Sequence, residues 1–583
     1  MRHLQYSALA RGIFGWLAGL QVAEPGYDQG GIRDPLSGAV AGEHYSATHF
    51  ALLGCLLDQP EPDPTRSPLI RSALEFHIRT SGGEYARGSW AYHWDFNNYA
   101  FAKCFVLLEK TLPKAERERY LSAMRAWKEN KHKTVNWLFM RAYNATLRRK
   151  LCGGLLDSLR ARRSLFLGLR CQLEDGCIED LRHTSRPIQY HAFSAALLHQ
   201  LFLLTGERRY LRRFMAGLDY LLPFVAPNGD FNYLGRGHEQ IFGYGVALYV
   251  LEAGLPHAGG NAQRVNEAAE HCLDHLARYA TQQGNFPLVL NGQGNNRRYG
   301  WYDYHHLTVY NAFLGVWLAE CALLKPDPCP APAPAKAEPR HYGVQLLAPS
   351  GRLSCNMPRY FLCLSAGEPG SHYYADCGLA FQHFWVKGFG DLISCPGGPG
   401  GPDGRGFANF YAREGDAAKN YFAPLGKRGG VWLAPVGGCG SLERRSSGVY
   451  ALVYEYPGGF TVNREITLTA DGLLVRDSVS FSTGQAGQGL EEFRLVNLPL
   501  LQGGHTVEAN VVVLQQGKVG IRITITMDLP GMLQTERLFS AKGDVYNLYF
   551  AVPVQGIDKQ TVFSVATRFT IFEAAQAALP PAA

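Results

Sequence analysis

The chain has 583 residues, 46% apolar and 18% charged, which excludes a disordered chain and is too long for one hydrophobic core. Its net charge of +7, from 57 basic and 50 acidic residues, suits an acidic ligand, but no dense basic stripe of the kind that grips nucleic acid is present. The 13 cysteines are odd in number and form no CxxC pair, which argues against a disulfide framework and for a reducing compartment.

The apolar stretch from Leu17 to Val22 is too short for a leader or a membrane span, so a cytoplasmic protein with no membrane partner is expected. From there to residue 324 apolar residues recur at three- and four-residue spacing. Tyr190, Phe193, Leu197, Leu201 and Leu204 form one such row, closed by Gly206, and Ile241 to Gly254 forms another. Segments 46–57, 67–78, 97–110 and 262–280 repeat the pattern. Many helices of this length, joined by Gly-, Asn- and Pro-bearing loops, predict a toroid or barrel of helical hairpins over residues 1–324. The basic runs Arg148-Arg149-Lys150, Arg160-Ala161-Arg162-Arg163 and Arg208 to Arg213 read as solvated helix faces.

Residues 325–340, KPDPCPAPAPAKAEPR, carry prolines at 326, 328, 330, 332, 334 and 339, and predict an extended spacer. Beyond it the period changes to two. Ile521, Ile523, Ile525 and Met527 alternate with Arg522, Thr524 and Thr526, and Asp471-Gly472 sits between two alternating runs as a hairpin turn. Segments 359–366, 431–436, 449–456, 546–552 and 561–572 continue the theme. Residues 341–583 are therefore expected to form an antiparallel β-sandwich.

Four segments place polar, titratable residues where packing alone would not want them. Asn136, followed by Trp137, interrupts an apolar helical stretch and needs partners. Asp175-Gly176-Cys177-Ile178-Glu179 precedes Gln189-Tyr190-His191 at a helix start, where the dipole favours a phenolate. The loop from Pro227 to Gln240 carries Tyr233, Arg236, His238 and Gln240, with Arg236 suited to clamp a carboxylate. His372, Tyr374 and Asp376 lie early in the β half, where a histidine beside a carboxylate can act as an oriented acid or base. Bland alternatives exist for each: a crosslinking Asn, a packed Tyr-His pair, a structural loop.

Taken in order, Asn-Trp, Asp-Gly…Tyr-His, a proline-rich hinge and a His…Asp strand motif resemble the heparinase II/III-like polysaccharide lyases, whose helical toroid is followed by an antiparallel β-sandwich. The resemblance implies β-elimination on a uronic acid of an acidic polysaccharide or oligosaccharide. Asn136 would neutralise the substrate carboxylate and Tyr190 would be base and acid. His372 matches the first His of the strand motif; Arg236 or His372 would share the neutralising role, and Arg236, His191 and His372 are the candidates for positive charge beside the phenol. The motif's second His, a metal ligand in some members, is Tyr374 here. A downstream aspartate falls on Asp391, and the nearest analogue of a later element is Asn409. These departures predict no metal and no cofactor. The resemblance puts the active site where the two halves face each other.

Aromatic- and amide-rich segments name further substrate contacts: Trp94, Asn97, Asn98, Trp137, Gln189, Tyr233, His238, Gln240, Tyr299, Trp301 and Tyr374. Two other readings compete. A glycoside hydrolase would need two carboxylates from Asp95, Asp175, Glu179, Asp230, Glu239 and Asp303. A non-catalytic glycan-binding protein would keep the architecture without the reaction.

Overall fold

The computed structural model describes residues 2–40, 44–81, 93–131, 133–292, 306–324, 343–367, 377–393, 419–456, 459–481, 489–501, 506–508, 510–540, 542–554, 557 and 561–574. The proline-rich segment lies outside these residues. The described helices end at Leu323 and the strands begin at Gly343.

Six helices are buried on nearly every side: Ser46–Leu57, Trp94–Leu108, Val135–Cys152, Ile188–Thr205, Ile241–Gly254 and Leu307–Leu323. Each packs against the next, and the last packs against the first, so they close into a ring. Such helices are apolar all round because they have neighbours on every side. Outside them run Arg2–Ala18, Arg66–Ser81, Lys114–Arg125, Leu155–Leu169, Arg208–Leu221 and Ala262–Ala277, each burying one face against the inner ring. The result is the expected (α/α) toroid. Its centre is an aromatic stack: Phe242 lies on Phe313 with centroids 4.3 Å apart, Phe96 on Tyr45 at 4.5 Å, and Phe193 edge-on to Phe313 at 5.3 Å.

One basic run departs from expectation. Arg149 and Lys150 are exposed, but Arg148 is buried, held by Asp157 and Glu129. A buried guanidinium needs such partners.

The β half has three antiparallel sheets. An eight-stranded sheet runs in the order Thr506–Glu508, Val511–Gln516, Val519–Met527, Val562–Glu573, Gly472–Phe481, Phe460–Thr469, Val449–Glu455, Cys439–Ser446. The Asp471-Gly472 turn joins two of these strands in register, with Thr469 opposite Gly472. Five strands over residues 343–391 form a second sheet. Five more, running in the order Gln534–Ser540, Gly543–Val552, Leu490–Leu500, Leu425–Arg428 and Val431–Leu433, form a third. The second and third meet through a bridge between Ile393 and Leu500. Side chains of all three sheets share one apolar core, which makes the sandwich.

The second sheet also rests on the toroid. Phe361 and Cys363 belong to the toroid's core. Arg352 is fully buried and donates to Tyr220 Oη (2.7 Å) and to the Arg186 carbonyl (2.5 Å). Asp175 Oδ2 accepts from the Ser350 amide at 2.9 Å. None of the described helices is long and apolar enough to cross a membrane.

Candidate active site

Pro187 ends an irregular segment, and its carbonyl accepts from the amides of Tyr190 (3.2 Å) and His191 (3.0 Å), so Tyr190 stands in the first turn of helix Ile188–Thr205. From 187 to 201 every side chain but Tyr190 is buried. From 229 to 241 every side chain but Arg236 is buried. These two half-buried side chains meet. Arg236 Nη2 donates to Tyr190 Oη at 2.5 Å, and its guanidinium lies 4.7 Å from the Tyr190 ring centroid.

The loop that presents Arg236 is tightly braced. Asn232 Nδ2 donates to the carbonyls of Gly237 and Gln240, both at 3.0 Å, and the Glu239 amide donates to the Asn232 carbonyl at 2.8 Å. Gln189 Nε2 donates to the Arg236 carbonyl at 2.9 Å. Gly237 has φ +83°, and a Cβ there would lie 2.0 Å from Gln189 Nε2, so only glycine fits. Glu239 has φ +60°, a left-handed conformation uncommon outside glycine.

Behind the pair sits Asp180, which the sequence reading missed. Its Oδ1 accepts from Asn136 Nδ2 at 2.7 Å, and its carbonyl accepts from the Val135 amide at the start of helix Val135–Cys152. Burial pushes its carboxyl up to about 6, against the opposing pull of Arg236 and the Asn136 hydrogen bond. Nothing in the sequence separates this aspartate from its neighbours. Asn136 is itself only 1% exposed, so the structure gives it an anchoring contact with Asp180 rather than an open amide.

Several expected contacts are structural instead. His191 is fully buried. Its Nδ1 accepts from the Ile178 amide at 2.9 Å, Nε2 lies 2.9 Å from the Gly217 carbonyl, and burial lowers it to about 4, so it supplies no charge to Tyr190. Tyr233 is fully buried, donating to the Phe224 carbonyl at 2.6 Å and stacking on His383 at 4.4 Å. Asn97 Oδ1 accepts from Thr48 Oγ1 at 2.7 Å and Asn98 Nδ2 donates to the Lys128 carbonyl at 2.9 Å; both are interior crosslinks. Gln189, on helix Ile188–Thr205, and Gln240, at the end of the Arg236 loop, are both buried, 3.4 Å apart. His238 is buried there too, lowered to about 4 by burial. Trp94 and Trp137 are half-buried; Trp94 carries Lys128 Nζ at 5.3 Å from its centroid, and Trp137 meets Phe96 edge-on at 6.5 Å. His372, Tyr374, Tyr299, Trp301, Asp303, Asp376 and Asn409 lie outside the described residues.

No family model matches the chain, and no curated protein matches it in sequence. Solved structures do match. A heparinase III superposes with TM-score 0.58 at 9% identity, covering 98% of this chain and 85% of that one. A heparan sulfate lyase from Pedobacter heparinus gives 0.56 at 9%, covering 92% and 79%. The chain has a heparinase-like polysaccharide lyase fold. A chondroitin AC lyase from Streptomyces coelicolor A3, in complex with chondroitin sulphate, agrees at 0.54 and 12%, covering 98% and 80%. At these identities the likeness is one of fold.

Where the sandwich meets the Arg236 loop, metal-ligating types converge: Asp230, His383 and Asp391 in one group, Asp230, Glu239 and His275 in another. The space between them is taken by Lys542. Its Nζ lies 2.8 Å from Asp230 Oδ2, 2.7 Å from Asp391 Oδ2, 3.0 Å from Glu239 Oε1 and 3.4 Å from His383 Nδ1. A divalent ion, which sits about 2.0–2.6 Å from its ligands, has no room beside that ammonium. The residues as they stand do not fit a metal. Burial opposes ionisation of Asp230, yet Lys542 holds it well below the usual carboxylate range, while burial and the Asp230 charge raise Glu239.

Proposed function

We propose that this chain is a polysaccharide lyase that cleaves a uronic-acid-containing acidic polysaccharide or oligosaccharide by β-elimination. The observation that carries this reading is the contact of Tyr190 and Arg236, the two half-buried side chains of otherwise buried segments. In the reaction the phenolate oxygen of Tyr190 takes the C5 proton of the uronate. The C–H electron pair forms the C4–C5 double bond, the C4–O bond breaks, and the leaving oxygen takes a proton back from the Tyr190 phenol. Arg236 serves twice. Its charge favours the phenolate, and the same charge can face the substrate carboxylate, which must be neutralised before C5 becomes acidic. Asn136 supports the site through Asp180.

The carboxylates support this reading over hydrolysis. Of the described candidates, Asp175 is bound to Ser350, Glu179 to Arg186, and Asp230 and Glu239 to Lys542. Asp95 is fully buried, 3.3 Å from Arg141, and raised to about 8 by burial. Of these five, only Asp175 is not fully enclosed, so they offer no open pair for acid and base roles.

The test is a panel of uronate polymers, including heparan sulfate, chondroitin sulfate, hyaluronan and alginate, followed by ultraviolet absorbance of the new double bond and product mass. Tyr190→Phe should lower turnover by at least ~100-fold, the usual range for a lost acid–base group. Products of hydrolytic mass, or a fully active Tyr190→Phe, would remove the proposal.

A further inference from the structure

Lys542 stands at the turn between strands Gln534–Ser540 and Gly543–Val552, and its side chain is 8% exposed. The atoms around its ammonium come from both halves of the molecule. Asp230 and Glu239 belong to the toroid's loop, Asp391 and His383 to the second sheet of the sandwich. Three carboxylates and a histidine thus surround one nitrogen. The same types, with His275, form the two groups whose ligating atoms lie within 4.8 Å of one another. His383 Nε2 and Asp391 Oδ1 point into this cluster 3.6 Å apart, both buried and without a hydrogen bond.

Asp230 and Glu239 bracket the segment that presents Arg236. The ammonium therefore holds both ends of that segment and ties them to the sandwich through Asp391. Tyr233, within the same segment, is stacked on His383 at an interplanar angle of 11°. Glu239, whose backbone is left-handed, is held from the other half through its carboxylate.

We infer that Lys542 is a built-in cation that occupies a metal-like ligand set, pinning the sandwich to the Arg236 loop in place of a bound divalent ion. It is a positioning residue: it sets where Arg236 stands over Tyr190 without itself reaching either. An ammonium and a divalent ion both neutralise converging carboxylates, but the ammonium is covalently attached and cannot be chelated away. The catalytic part of this inference rests on the lyase reading; the pinning part does not.

The experiment removes the ammonium and offers an ion. Wild type, Lys542→Ala and Lys542→Ala/Asp391→Asn are dialysed against chelator and titrated with Zn2+, reading stoichiometry by calorimetry and elemental analysis and unfolding by thermal melt. Wild type should bind no Zn2+ at this cluster. Lys542→Ala should melt lower, take up one Zn2+ and regain thermal stability with it, and the double variant should lose that uptake. If Lys542→Ala folds only when expressed and purified with Zn2+, the inference is likewise supported. On a cleaved substrate, Lys542→Ala should lose at least tenfold in kcat with little change in KM, and Zn2+ should restore part of it. A Lys542→Ala protein that melts like wild type overturns the inference. So does one that is destabilised or unfolded and takes up no Zn2+. Zn2+ uptake and rescued melting alongside a fully active Tyr190→Phe would sink the lyase reading alone.

Discussion

Asp180 offers the sharpest quantitative test. Burial raises its folded-state carboxyl from 3.8 to about 6. That shift of roughly two units, at about 1.36 kcal/mol each, corresponds to about 3 kcal/mol. The sign follows from which state holds the proton. Below pH ~4 both folded and unfolded chains are protonated here and the group contributes nothing. Between pH ~4 and ~6 the unfolded chain ionises while the folded one does not, so stability falls as pH rises. Above ~6 the full penalty is present. Asp180→Asn cannot ionise and keeps an acceptor oxygen for Asn136. Its stability relative to wild type should therefore climb by about 3 kcal/mol from pH 4 to pH 7, then level off. Denaturant midpoints of the two proteins, measured across this range, give the difference directly. Activity should move the other way. The ionised carboxylate is what attracts Arg236, so wild-type turnover should rise through pH ~6, and Asp180→Asn should be slower and lack that limb. A stability difference that stays flat from pH 4 to 7 would refute the reasoning.

Other outcomes follow from the same contacts. Gly237→Ala forces a Cβ to 2.0 Å from Gln189 Nε2 at a φ of +83°, so it should displace Arg236 and lower kcat/KM by at least ~100-fold, while circular dichroism of the helical half stays unchanged. Arg352→Met removes donors from the Tyr220 hydroxyl and the Arg186 carbonyl in a dry interface; each group left unpaired should cost about 1–3 kcal/mol, seen as early loss of contact between the two halves in a thermal melt followed by hydrogen exchange. Arg236→Lys keeps a charge but loses the planar fork, so activity should fall less than in Arg236→Ala yet stay well below wild type when both are assayed on the cleaved substrate.

Much of the architecture was legible because each half repeats one period. The inner helix Ile241–Gly254 and the hairpin at Asp471-Gly472 stand where the pattern and the turn chemistry put them. The strand expected over 431–436 is shorter, Val431–Leu433, because it is an edge strand paired on one side only. The candidate site draws on part of the expected set. Of Asn136, Tyr190, His191, Arg236 and His372, Tyr190 stands at a helix start and Arg236 in a glycine-punctuated loop. His191, beside Tyr190 in sequence, lies about 100° further round the helix and is consumed by Ile178 and Gly217. Tyr233, three residues before Arg236, anchors the loop instead of lining it.

By itself, then, the sequence determined the two kinds of secondary structure and their order along the chain, because periodicity and turn residues are local properties. Only the tertiary structure decided which polar residues are open and which are braces, since burial depends on neighbours far away in the chain. It also decided the interface. Asp230 and Lys542 are 312 residues apart and meet at 2.8 Å, and no local pattern around either one records the other.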